Sequence, residues 1–167
     1  MRTAILLVLI ALAAGPAFAQ IGSPVSASLG VHVNGGTLAE DPYGWGWGGG
    51  AHLDIDITVI SFRVSGDYQL FLPEENSAAP NIKLISGTAN VKFPLLPLPV
   101  VKPYLTGGVG LARLSVGDAN ETNPSFNVGA GVDFSLIITA FAEVRYNWIL
   151  TEGESTGYIP LTVGVTF

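Results

Sequence analysis

Tyr158-Ile-Pro-Leu-Thr-Val-Gly-Val-Thr-Phe167 decides the fold. Ile159, Leu161, Val163, Val165 and Phe167 fall on one face of an extended chain. Tyr158, Pro160, Thr162, Gly164 and Thr166 fall on the other. Such alternation reads as a strand, because successive side chains point to opposite faces of a sheet. The apolar face ends on Phe167, an aromatic ring beside the chain-terminal carboxylate. A strand that crosses a bilayer suits that pair, with the ring at the lipid boundary and the charge in water.

The same alternation runs back through the chain. Val25, Ala27, Leu29, Val31 and Val33 oppose Ser26, Ser28, Gly30, His32 and Asn34, and a loop follows over 35–43. Trp45, Trp47, Gly49, Ala51, Leu53, Ile55 and Ile57 oppose glycines, His52, Asp54 and Asp56, with a turn over Thr58–Ser61. Phe62, Val64, Gly66, Tyr68 and Leu70 oppose Arg63, Ser65, Asp67 and Gln69, before a loop over 73–80. Ile85, Gly87, Ala89, Val91 and Phe93 oppose Leu84, Ser86, Thr88, Asn90 and Lys92. Pro94–Pro103 reads as a turn too rich in proline to join a ladder. A fifth strand runs over 104–116 and loses its pattern from Arg113 to Val116, as a bulge would make it do. After a polar loop over 117–124, Phe126, Val128, Ala130, Val132 and Phe134 oppose Asn127, Gly129, Gly131, Asp133 and Ser135. Leu136–Thr139 turns. Ala140, Ala142, Val144, Tyr146, Trp148 and Leu150 then oppose Phe141, Glu143, Arg145, Asn147 and Thr151, and a loop over 152–157 leads to the last strand. Four polar, acidic loops thus alternate with three apolar turns, which sends all the loops to one end.

The front end is of another kind. Met1-Arg2 is a short positive region, residues 4–14 are an apolar run too short to span a membrane as a helix, and Ala17-Phe18-Ala19 supplies a cleavage site. Residues 1–19 therefore read as a cleavable signal peptide and 20–167 as one domain. The chain has no Cys, so disulfides and thiolate metal sites are excluded. Only 12% of residues are charged and mean hydropathy is +0.48, although no second run is long enough for a membrane helix. That combination leaves the closed barrel, the other structure that satisfies its backbone in lipid.

Alternation alone does not say which face is inside. The polar face is mostly Gly, Ser, Thr and Asn, whereas a soluble exterior carries dense charge. Small residues suit the narrow interior of eight strands. Trp45, Trp47, Phe126, Tyr146 and Trp148 lie toward the loop end of the apolar face, and Phe62, Phe93, Phe134 and Phe167 toward the turn end. Two aromatic belts mark two bilayer interfaces. The reading is all-β: an eight-stranded antiparallel up-and-down transmembrane β-barrel behind a signal peptide.

The last ten residues resemble the C-terminal targeting strand of bacterial outer-membrane barrels, which implies recognition by the barrel-assembly machinery. Tyr158, Val163, Val165 and Phe167 would carry that signal. The domain as a whole resembles small OmpA/OmpX-type barrels. Lys102-Pro-Tyr-Leu-Thr-Gly-Gly-Val-Gly110 resembles their fifth strand, and Asn127-Val-Gly-Ala-Gly-Val-Asp133 with Phe141-Ala-Glu-Val-Arg-Tyr146 their sixth and seventh. The long Pro94–Pro103 turn departs from the family's short connections. The resemblance implies the bacterial outer membrane with extracellular loops, and lipid and lipopolysaccharide as neighbours.

The interior then holds Asp54, Asp56, Arg63, Asp67, Lys92, Asp133, Glu143 and Arg145. Folding about Thr58–Ser61 places Asp56 opposite Arg63 and His52 near Asp67. Folding about Leu136–Thr139 places Asp133 opposite Glu143, with Arg145 diagonal as the cation both need. Unpaired charges in a sealed interior cost several kcal/mol each, by order of magnitude. Asp56, Arg63, Asp67, Asp133, Glu143 and Arg145 are therefore expected to form an ion-pair plug; a proton or ion path is the alternative. His32 and His52, the only imidazoles, both project to the polar face at separate heights, so the chain reads as no enzyme. Gly107-Gly-Val-Gly110 lies mid-strand with no helix after it, so it is no phosphate loop. Asn120-Glu-Thr122 is an incidental sequon. The acidic balance argues against nucleic acid.

Glu40, Asp41, Glu74, Glu75, Asp118, Glu121, Glu152 and Glu154 all fall in the loops. They read as a solvated rim; a divalent-cation layer shared with lipopolysaccharide phosphates is the other reading. Nothing calls for a cofactor. The expected role is structural or surface-interacting, as a monomer: membrane integrity, adhesion or binding through the loops. The rivals are a lipid-A-modifying enzyme and an exported soluble lipocalin-like binder.

Overall fold

The computed structural model describes residues 25–38, 45–73, 80–96, 98–117, 119–151 and 155–167. Residues 1–19, expected to be a signal peptide, and all but Glu121 of the acidic residues expected in the four loops lie outside them. The strands are β1 (Val25–Leu38), β2 (Trp45–Ile57), β3 (Ile60–Phe71), β4 (Ile82–Pro94), β5 (Val101–Val116), β6 (Ala119–Ser135), β7 (Thr139–Leu150) and β8 (Ser155–Thr166). Each pairs antiparallel with its sequence neighbours, and β1 pairs with β8 to close the barrel. Phe167 completes the seam: its N–H donates to the Leu29 carbonyl at 2.8 Å, and its own carbonyl accepts from Leu29 N–H at 3.1 Å.

The apolar face is outside. Val33, Trp45, Trp47, Val64, Val109, Leu111, Val128, Leu161 and Val163 are exposed, while His32, His52, Asp54, Arg63, Asp67, Lys92, Glu143 and Arg145 are buried. This orientation rules out the soluble barrel with an apolar interior. At the loop side the outer aromatics are packed together, with Trp148 stacked on Phe126 at 4.7 Å and tilted against Tyr146 at 4.3 Å.

Two turns are tighter than the sequence suggests. Ile57 pairs with Ile60, so the β2–β3 hairpin turns on Thr58 and Val59 alone. Two-residue turns match the twist of the strands they join. Thr58 takes φ 31°, a left-handed conformation at a position that such turns commonly give to glycine. Ser135 pairs with Thr139, which leaves three residues, Leu136–Ile138, between β6 and β7. Each difference slides its hairpin by two residues.

The loop end also departs from expectation. Arg113–Val116 is not bulged. It pairs without interruption with Ile82–Ile85 and with Ala119–Thr122, and Gly117, at φ 59°, follows β5 directly. The pattern fails there because the inner face turns apolar. Leu114 and Val116 pack inward on a buried cluster of Leu38, Phe71, Ile82, Leu84, Ala112, Ile149 and Tyr158. Tyr158 meets Phe71 edge-on at 6.4 Å.

Val101–Pro103 belongs to the ladder, pairing with Phe134, Asp133 and Val132. Pro103 is tolerated because its polar edge faces the side where β4 has ended; there its carbonyl accepts from Leu95 N–H at 2.9 Å.

The Thr58 geometry gives a prediction. Thr58→Gly removes the cost of a left-handed threonine and stabilises the barrel by about 1 kcal/mol. Urea unfolding in lipid vesicles, followed by tryptophan fluorescence, checks it; a lower midpoint would show that the turn is unstrained.

Candidate functional site: the sealed lumen

The lumen is filled in three tiers. The first lies toward the turn end, where the slid hairpins set the pairing. Asp54, not Asp56, faces Arg63 across β2–β3. The guanidinium grips it with two bonds, Nε to Oδ1 and Nη2 to Oδ2, both 2.7 Å. Asp56 pairs across with Ser61, accepts a hydrogen bond from its hydroxyl, and stays exposed at the barrel mouth. On the β6–β7 hairpin, Glu143 faces Gly131 and Arg145 faces Gly129, while Asp133 faces Phe141. The expected Asp133–Glu143 juxtaposition is therefore absent. Asp133 instead takes Lys92 from β4, at 2.9 and 3.1 Å, and Lys92 lies 3.9 Å from Asp54.

Glu143 is served twice. Tyr104 donates its hydroxyl to Oε2 at 2.9 Å, and Arg145 Nε lies 2.9 Å from Oε1, close enough for an ion pair though not aligned as a hydrogen bond. Two aromatic rings thread this tier. Lys92 sits over Tyr104 at 4.1 Å and Arg63 over Phe141 at 4.2 Å. Such placements add to the attraction of charges already withdrawn from water. Gly131 makes room for Tyr104, since a side chain there would collide with the phenol ring.

The second tier is a hydrogen-bonded line in mid-lumen. His32 Nε2 meets Asp67 Oδ1 at 2.6 Å, and the two Nδ1 atoms of His32 and His52 lie 3.2 Å apart. His52 Nε2 reaches Thr166 Oγ1 at 2.9 Å. The histidines therefore meet, against the expectation of separate heights: each stands opposite a glycine, Gly50 and Gly30, and the rings lean together across that space. One proton arrangement satisfies every atom with both rings neutral. Thr166 donates to His52, His52 to His32, and His32 to Asp67. An added proton can reverse the line, but two would set N–H against N–H. Asp67 also accepts from Asn34 at 3.0 Å and Ser65 at 3.2 Å, and Ser65 continues through Thr88 to Asn90, each step 2.9 Å.

The third tier is the apolar cluster described above, which closes the loop end. Below the first tier, at the turn end, opens a cavity of about 690 Å³. Asp54, Lys92, Tyr104 and Asp133 form its floor, and Val59, Leu96 and Leu98 stand at its mouth.

Of the six residues expected to pair inside, five are buried or lie in this lumen, in three separate sets: Arg63 with Asp54, Asp133 with Lys92, and Glu143 with Arg145, beside Asp67 in the histidine line. Asp56 is not among them. Sequence reasoning missed Tyr104, although it shares the inner face with Thr106 and Gly108 and faces a glycine across the ladder. Among the described residues no group of three or more His, Asp or Glu side chains is arranged to hold a metal ion.

The pairing predicts unequal effects for two neighbouring acids. Asp54→Asn strands the buried Arg63 cation and destabilises the barrel by about 3–5 kcal/mol. Asp56→Asn changes stability by less than about 0.5 kcal/mol. Urea midpoints of the two variants in the same vesicles decide; equal losses would place Asp56 in the network after all.

Closed barrels of this kind occur among proteins of known structure. Neisserial surface protein A superposes with a TM-score of 0.64 at 22% identity, covering 86% of this chain and 96% of that one. Ail, the attachment invasion locus protein of Yersinia pestis, gives 0.50 at 20%, covering 84% and 97%. The N-terminal β-barrel domain of Pseudomonas aeruginosa OprF gives 0.51 at 17%, covering 84% and 97%. At such identities the likeness is one of fold. No curated protein matches the sequence significantly. The family model of the outer membrane protein beta-barrel domain matches residues 4–167, nearly the whole chain. With apolar residues turned to lipid and charge sealed inside eight closed strands, this chain belongs to the outer membrane protein beta-barrel domain family.

Proposed function

We propose that the chain is a non-enzymatic, monomeric barrel that serves the outer membrane as a structural or surface-interacting element: integrity, adhesion or binding through its acidic loops. Membership of the family implies the bacterial outer membrane. One observation carries the finer reading. Above the cavity at its turn end the lumen is occupied by ion pairs, a histidine line and an apolar cluster, which favours a closed frame over a solute channel. What remains to differ between such barrels is the outer wall and the loops. One structural neighbour, Ail, is by name an attachment invasion locus protein, which favours attachment as the form of that interaction.

The enzymatic rival needs a catalytic group at the lipid face. His32 and His52 turn into the lumen, which speaks against it. The neighbours in this reading are outer-membrane lipid and lipopolysaccharide, with nucleic acid absent. During insertion the barrel-assembly machinery would recognise Tyr158, Val163, Val165 and Phe167. Of these, Val163 and Phe167 are exposed on the outer wall, while Tyr158 belongs to the inner cluster.

The extracellular placement of the loops has a direct test. Every glutamate except the buried Glu143 lies in a loop or on the β5–β6 hairpin near its tip, and the three opposite turns contain none. A glutamate-specific protease added to intact cells should cleave the protein. Cleavage that appears only after the outer membrane is permeabilised would invert the orientation. The closed lumen predicts no steady channel steps in planar bilayers; ohmic conductance from heat-shiftable, folded protein would refute a purely structural role.

A further inference from the structure

The charges of the lumen do not balance. Among the described residues it holds the carboxylates of Asp54, Asp67, Asp133 and Glu143 and the cations Arg63, Lys92 and Arg145. Asp54 has Arg63 within ion-pair distance, Asp133 has Lys92 and Glu143 has Arg145. Asp67 has no arginine or lysine that close. Its ion-pair partner is His32 Nε2, at 2.6 Å, which is a cation only when the ring is protonated. Asn34 and Ser65 also donate to Asp67, but neither carries charge. A carboxylate withdrawn from water without a cation is costly. One positive charge is missing, and one proton would supply it.

The histidine line leads to that acid from the turn-end cavity. Thr166 lines the cavity, and its hydroxyl lies 2.9 Å from His52 Nε2. The rings meet through their Nδ1 atoms at 3.2 Å, and His32 ends on Asp67. With both rings neutral every donor points toward Asp67. A proton entering from the cavity is passed along in two exchanges. Thr166 takes it and gives its own to His52 Nε2, and His52 gives its Nδ1 proton to His32 Nδ1. His32 then carries a proton on both nitrogens, His52 carries one on Nε2 alone, and Thr166 accepts from it. A second proton has no place, because it would set the two Nδ1–H groups against each other.

The surrounding charges are already committed. Asp54 of β2, Arg63 of β3 and Lys92 of β4 act on His52, and Arg145 of β7 acts on Asp67, but all four belong to ion pairs. Tyr104 of β5 and Asp133 of β6 are bonded to Glu143 and Lys92. Tyr158 of β8, near Asp67, carries no charge, and β7 turns the Phe141 ring edge-on to both imidazoles. Beyond Asp67 the line runs through Ser65 and Thr88 to Asn90, an amide that does not titrate, and the apolar cluster closes the loop end.

We propose that the lumen is a binding site for a single proton, loaded from the turn-end cavity through Thr166 and His52 and held by His32 against Asp67. The site is a dead end rather than a path across the membrane. The charge of the lumen therefore follows the acidity of the compartment at the turn end and is shielded from that beyond the loops. This property goes beyond the structural role proposed above, and the two can fail separately.

The test uses the full barrel refolded in detergent micelles with nitrogen-15 in its histidines, folding being verified by a shift on heating in a gel. Ring-nitrogen NMR shifts report the charge and tautomer of each imidazole and are followed from about pH 9 to about pH 5. One event should move both rings together. His32 becomes an imidazolium, while His52 stays neutral and changes from the Nδ1–H to the Nε2–H tautomer. Rings that titrate independently, or that both stay neutral across the range, overturn the site. Asp67→Asn should weaken proton binding at His32 at least about tenfold, because the opposite charge is gone; undiminished binding overturns the role of Asp67. If that variant does not fold, His32→Gln carries the comparison: His52 should then stay neutral throughout, and its charging overturns the site. Thr166→Val should slow exchange of the ring protons with water, and unchanged exchange overturns entry from the cavity. Asp56→Asn, at the cavity mouth, should leave the coupled change in place; its loss there would assign the charge to the mouth and overturn the pairing with Asp67.

Discussion

The structure depends on one constraint: in hydrocarbon, no backbone N–H or C=O can be left without a partner. A sheet meets that only by joining its first strand to its last. Here β1 and β8 do so over nine residue pairs, and Leu29 and Phe167 extend the seam by two more hydrogen bonds. Once the sheet is closed, every residue must point either to lipid or into a narrow core. The period-two alternation is the imprint of that choice. Glycine is used where the core is too narrow, as at Gly131 beneath Tyr104.

Closure creates a second problem, because the core is polar and largely cut off from water. Charges placed there must neutralise one another at short range. The chain does this at short range: Arg63 grips Asp54, Lys92 bridges Asp54 and Asp133, Arg145 lies against Glu143, and Asp67 is held by hydrogen bonds from His32, Asn34 and Ser65. Arg63 and Lys92 also lie over the rings of Phe141 and Tyr104, so aromatic faces fill the space between pairs. Toward the loops charge gives way to an apolar cluster, which excludes water from above. The histidine line sits between these tiers, with one consistent direction of donation and room for a single added proton.

What was legible in the sequence follows from the same physics. Strand number, the outward face and the grouping of loops and turns all derive from alternation, and the exposed and buried residues match it. Pairing did not follow, for a specific reason. Sliding a hairpin by one residue would exchange its faces, but sliding it by two leaves every side chain on the same side. Hydrophobic pattern therefore cannot distinguish Asp54 from Asp56 as the partner of Arg63. Only the turn length does, and it depends on Thr58 accepting a positive φ. The loop end was obscured for the opposite reason. Where Leu114 and Val116 face an apolar interior, the alternation fades although the ladder continues.

These two blind spots bear on where function lies. A frame whose core is filled above its turn-end cavity by paired charges and packed side chains offers little to select upon there, because a single change strands a charge or opens a gap in a closed packing. Changes on the outer wall and in the loops disturb neither closure nor pairing. Recognition can therefore be rewritten at the loop end while the fold is held by the lumen, which is why the fold alone does not name a ligand.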